Sequence, residues 1–146
     1  MTIKRLDNIG IIVDDLDSAI EFFTELGLTL EGRARVEGRL VDRLIGTDGA
    51  VSDIAMMRTP DGNGRVELSC FVSPAAITPH PTNAPVNTLG IRRIMFAVAD
   101  LDAVAARMQS RGAQLVGEIV EYGDSYRLCY LRGPEGILIA LAEELR

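Results

Sequence analysis

Two hydrophobic periods alternate along the chain. Residues 6–13 place apolar side chains at Ile9, Ile11 and Val13, every second position, as a strand with one buried face requires. Asp14-Asp15-Leu16-Asp17 then supplies a helix N-cap with acidic residues in the first turn, and Leu16, Ala19, Ile20 and Phe23 recur at helical spacing. Gly27 stands where such a helix stops, so a helix is predicted over residues 16–26. Strands are predicted over 29–36, 51–58 and 65–71, the last two joined by a Pro60-Asp61-Gly62-Asn63-Gly64 turn. Residues 73–89 carry four of the six prolines and no periodicity, which predicts an extended linker. Beyond it the order returns: strand 91–98, helix 101–111, then strands 114–121, 126–132 and 137–142, with Gly133-Pro134-Glu135-Gly136 as the turn before the last.

The return is a repeat in sequence as well as in pattern. Ile9, Val13, Asp15, Leu16, Asp17, Gly27, Leu30 and Gly32 are matched, without a gap, by Ile94, Val98, Asp100, Leu101, Asp102, Gly112, Leu115 and Gly117. Identical residues at strand, helix start and helix stop alike point to duplication of one unit rather than chance likeness. The expected fold class is α+β. Two tandem βαβββ modules are expected to form an open, curved, mixed β-sheet in a barrel-like cleft with helices outside. The domain plan is module 1 over residues 4–72, a linker over 73–89 and module 2 over 90–146 of one domain.

Composition narrows the partners. A length of 146 residues with 47% hydrophobic and 25% charged positions suits one soluble domain. A net charge of −6 without a basic stripe argues against nucleic acid and against anionic membranes. No apolar run approaches the roughly 20 residues of a spanning helix and no leader pattern opens the chain, so a cytoplasmic location is expected. Cys70 and Cys129 form neither a CxxC motif nor a disulfide framework and are read as small buried hydrophobes.

The opening Leu6-Asp7-Asn8-Ile9-Gly10-Ile11-Ile12-Val13-Asp14-Asp15-Leu16-Asp17 and the closing Arg132-Gly133-Pro134-Glu135-Gly136-Ile137-Leu138-Ile139-Ala140-Leu141 flank the duplicated modules. With these, nearly the whole chain resembles the vicinal oxygen chelate superfamily of glyoxalases, bleomycin-resistance proteins and extradiol dioxygenases. In members that bind metal, the resemblance implies one ligand from the first and one from the last strand of each module, usually histidine or glutamate. Those places fall on Asn8, Glu67, Arg93 and Ala140. Only Glu67 is a credible ligand: arginine is cationic without a lone pair, alanine has no donor, and an asparagine carbonyl is weak. The expectation is therefore no cofactor and no divalent metal.

Strand parity places Asn8, Gly10 and Ile12 opposite the helix-packed face, together with Arg65, Glu67 and Ser69, with Arg93, Met95 and Ala97, and with Leu138, Ala140 and Ala142. Such a wall, mixed apolar and polar, is the usual small-molecule site, and Met56, Met57 and Met95 are read as either adaptable lining or core. Glu67 and Arg93 are the catalytic candidates: Glu67 as a base beside a carbonyl, Arg93 as the stabiliser of a carboxylate or enolate. A buried ion pair is the competing reading of the two. Asn8, Ser69, Met95, Tyr122 and Arg127 are the substrate-binding candidates, the last two from the polar segment Tyr122-Gly123-Asp124-Ser125-Tyr126-Arg127. His80, between two prolines, reads as a surface or lid residue.

Three functions stay open. One is a metal-independent lyase or isomerase acting on a small anionic or carbonyl-containing molecule. The second is a protein that sequesters an antibiotic-type molecule, and the third a metal-dependent lactoylglutathione-lyase-like enzyme or dioxygenase. The resemblance further implies a homodimer with a shared cleft.

Overall fold

A computed structural model describes residues 2–145. Two compact units divide it, Met1–Thr78 and Pro79–Arg146. The first contains β1 (Ile9–Ile12), α1 (Leu16–Leu26), β2 (Thr29–Glu37), α2 (Arg39–Ile45), β3 (Val51–Arg58) and β4 (Arg65–Ser73). The second contains β5 (Arg93–Ala97), α3 (Leu101–Ser110), β6 (Gln114–Tyr122), β7 (Tyr126–Arg132), a single 3-10 turn (Pro134–Gly136) and β8 (Leu138–Glu144). The sheet orders, β1-β4-β3-β2 and β5-β8-β7-β6, are the same arrangement twice. In each, the first strand runs parallel to the last and the remaining pairs are antiparallel, giving two tandem βαβββ modules with mixed sheets.

Each helix forms and docks for the reasons legible in the repeat. Asp15 accepts the Ser18 amide at 3.0 Å and Asp100 accepts the Ala103 amide at 3.1 Å, so duplicated aspartates cap duplicated helices. From α1, Leu16, Ala19, Phe23 and Leu26 are buried, joining Ile11, Ala55, Met57 and Leu68 on one face of the first sheet. From α3, Leu101, Ala105 and Met108 meet Cys129, Leu131, Ile139 and Leu141 of the second. Burying each large side chain contributes about 1.5–3 kcal/mol, so these two stripes dominate the stability of their units.

Three features differ from expectation. Strand β1 starts at Ile9 and β5 at Arg93, because pairing begins only where β4 and β8 supply partners at Val66 and Leu138. The helix α2 was not foreseen: Leu40 and Leu44 are 77% and 84% exposed, so it has no buried stripe for periodicity to reveal. Instead, Asp42 fastens its far end by accepting the amides of Gly49 and Ala50, both at 2.9 Å. Finally, the latter part of the proline-rich segment is no simple connector. Residues 79–84 belong to the second unit, where Thr82 and Asn83 lie directly against Gly136.

Candidate functional site

On the first sheet, the face away from α1 carries Glu67 between Gly10 of β1 and Met56 of β3, its register partners. Glu67 is half-buried, and among the described residues of this unit its carboxylate has no hydrogen bond or ion pair. The nearby arginine charge is already taken: Glu31 holds Arg65 at 3.1 Å and Arg58 at 3.6 Å. Glu31 is free to do so because it sits at the irregularity between Leu30 and Gly32, outside the β2–β3 ladder. Glu67 is thus a carboxylate kept available on an open face.

The other candidates of this unit are less available. Ser69 is 8% exposed, and its hydroxyl is 2.5 Å from that of Ser52, which leaves little of it to meet a ligand. Asn8 precedes β1, half-buried, and donates to Asp7 at 3.1 Å. Met57 is wholly buried under α1 and is core, whereas Met56 shares the face of Glu67.

On the second sheet, the face away from α3 carries Arg93 and Met95 from β5 and Tyr126, Leu128, Tyr130 and Arg132 from β7. The Arg93 guanidinium lies over the Tyr130 ring, 5.5 Å from its centre, in cation–π geometry. Among the described residues of this unit, no carboxylate pairs with Arg93. Met95 is 47% exposed beside it. Tyr122, 70% exposed, pairs with Tyr126 at the hairpin end, so all three tyrosines of the chain stand on this face.

Two residues of this unit have surroundings other than those expected. Ala140 was placed on the open wall, yet it is fully buried, because Met95 and Tyr130 flank it in register and are long enough to cover it. Arg127, expected to meet a ligand, alternates with Tyr126 and Leu128 and so belongs to the helix side of β7. There its guanidinium forks onto Asp102 of α3 at 2.6 and 2.9 Å. That hydrogen bond, with the charge attraction behind it, holds the Asp102 carboxyl below the usual carboxylate range. Arg127 braces the helix. Its neighbour Glu143 serves the same helix by accepting the Leu101 amide at 2.7 Å.

The donor set does not fit a metal. Of Asn8, Glu67, Arg93 and Ala140, one is a carboxylate, one a fixed cation and one a covered methyl, so an ion would gain too few donors to replace its water. Among the described residues, no three His, Cys, Asp or Glu side chains are grouped to hold one.

Residues 5–141 match the family model of the Glyoxalase/Bleomycin resistance protein/Dioxygenase superfamily. The chain belongs to this superfamily. A solved glyoxalase family protein from Bacillus cereus is 54% identical over 100% of this chain and 97% of its own, with a TM-score of 0.95. The uncharacterised Escherichia coli protein YaeR is 26% identical over 143 residues, 97% of this chain and 98% of that one. TnmS3, an antibiotic binding protein from Streptomyces, shares the fold at 21% identity and a TM-score of 0.62, over 99% of this chain and 98% of its own. Membership in a superfamily with such varied members makes the open sheet faces the place to look for a small molecule. Tyr130, Arg132 and Ser52 were missed there by reading the sequence alone. Alternation along β7 was the signal for the first two; the third needs the β3–β4 register.

Proposed function

We propose that this superfamily member binds a small anionic or carbonyl-containing molecule at its open sheet faces and acts on it as a lyase or isomerase without a divalent metal. The observation that carries the reading is the pair of unspent charges. Among the described residues, Arg93 is held over Tyr130 with no carboxylate of its own unit, and Glu67 is half-buried with no partner in its unit. Arg93 anchors the ligand's carboxylate or stabilises an enolate oxygen, since a guanidinium gives strong charge-assisted hydrogen bonds. Glu67 takes the proton beside the carbonyl. Asn8 and Met95 complete the lining. A two-fold homodimer is the assembly we propose with this reading. Neither nucleic acid nor a membrane is a partner in this reading; no described helix is long and apolar enough to cross a membrane.

A second reading, sequestration of an antibiotic-type molecule, draws support from the three tyrosines gathered on one face. Aromatic residues are only 5% of the chain, yet their concentration offers a flat ligand a stacking surface. Incubation with 2-oxo acids, acyl thioesters and hemithioacetals separates the two readings. A ligand that raises thermal stability and is converted supports catalysis, and one recovered unchanged supports sequestration. For a converted substrate, Glu67→Gln is expected to retain binding and lower kcat by about 100-fold or more, the usual contribution of a positioned base. Unchanged turnover would remove Glu67 from the mechanism.

A further inference from the structure

The second unit also contains a hollow next to the open face, with which it shares Arg132. It lies between residues 79–84 and the 133–136 turn and encloses about 200 Å³. Pro79, Pro81, Ile91 and Ile137 give it apolar walls, and Arg92 and Arg132 supply two guanidinia against the single carboxylate of Glu135. In a chain of net charge −6, that surplus of positive charge is a product of placement, not of composition.

The arginines are only partly spent on the protein. Arg92 Nε is shielded from solvent and, among the described residues, meets no protein acceptor; native proteins rarely leave such an N–H without a ligand, an ion or an ordered water to receive it. Arg132 donates one N–H to the Gly136 carbonyl at 2.9 Å, which fixes the plane of its guanidinium and leaves its other donors for use. The walls are also tightly fitted. Gly136 has φ +75°, and a Cβ there would collide with the Thr82 carbonyl oxygen and Asn83 Oδ1, so only glycine lets residues 82–83 close over the turn.

We propose that this hollow is a binding site for a small oxyanion, a carboxylate or phosphate held between Arg92 and Arg132. Its chemistry follows from planar guanidinium forks, which match the paired oxygens of both groups. Its size selects a small species. Pockets for drug-sized ligands are roughly 300–1,000 Å³, so a hollow of about 200 Å³ suits a species the size of inorganic phosphate or a short-chain acid. Arg93 does not line the hollow.

The test uses Arg93→Ala protein, so that the open-face arginine cannot supply the binding, and titrates inorganic phosphate and acetate separately at constant ionic strength. Binding is read by backbone amide shifts and by the thermal midpoint. A saturable response to either probe is expected at residues 79–84 and 133–136, and the stronger probe assigns phosphate or carboxylate. Adding Arg92→Gln is expected to weaken it by at least about tenfold, the loss of one charge-assisted pair. Gly136→Ala, which drives residues 82–83 from the turn, is expected to do the same, and it serves should the Arg92 variant fold poorly. The absence of saturation in Arg93→Ala protein, or affinity unchanged in Arg92→Gln, would overturn the site. Neither outcome bears on Glu67 or on conversion of a ligand at the open faces.

Discussion

Replacing Gly136 by alanine isolates the fit between residues 82–83 and the turn before β8. Two costs are expected. An L residue at φ +75° pays roughly 1–2 kcal/mol for the left-handed backbone. The new methyl also runs into Asn83 Oδ1, which can swing aside, and into the Thr82 carbonyl oxygen, which cannot without moving the backbone. Overpacking of that kind costs about 1–3 kcal/mol. Gly117→Ala is the matched control: its φ is +70°, but nothing lies within 4 Å of a Cβ, so only the backbone cost applies. Gly136→Ala should therefore exceed Gly117→Ala by about 1–3 kcal/mol in urea denaturation. In thermal unfolding each kcal/mol corresponds to roughly 2–4 °C for a chain of this size. Equal losses in the two variants would refute the close approach as a constraint, leaving only the backbone angle.

Other outcomes follow from the same contacts. Arg127→Ala should lower the thermal midpoint while leaving ligand affinity at the open face unchanged; lost affinity with an unchanged midpoint would return Arg127 to the ligand. Asp102 titrates below its ordinary value of 3.8, chiefly through the hydrogen bond from Arg127, so its contribution to stability is present above that pH and fades as pH falls through the lowered value. The stability gap between wild type and Asp102→Asn should accordingly be steady at neutral pH and close in acid, and a gap that widened below pH 3.8 would contradict the sign. Burial pushes the Cys129 thiol up and shields it, whereas Cys70 is only partly covered, so a thiol reagent should modify Cys70 first and Cys129 only on unfolding. Equal native rates would show that Cys129 is reached without unfolding.

Much of the architecture could be read without coordinates, because the signals involved are short in range. The cap at Asp15, the stop at Gly27 and the stripe through Leu16, Ala19 and Phe23 define α1 within a dozen residues, and the repeat transfers the reading to α3. Parity likewise assigned Glu67, Arg93 and Met95 to the faces where they stand. It also held the answer for Arg127, which alternates with Tyr126 and Leu128 and shares a side with Cys129 and Leu131. Reading Tyr122 to Arg127 as one polar cluster set that alternation aside.

The chain's own periodicity and caps settled the two βαβββ modules, and the chemistry of Asn8, Arg93 and Ala140 removed the usual metal donors, since both depend on residue type and local spacing. Long-range pairing decided which polar groups remain free. Glu31 neutralises Arg65 across β2 and β4, Ser52 occupies Ser69, and Asp102 claims Arg127 from a helix. Only the folded chain brings residues 79–84 onto the turn at Gly136 and encloses Arg92 there. A side chain's availability is set by what it meets, and its partners here come from segments too distant in the chain for any local pattern to record.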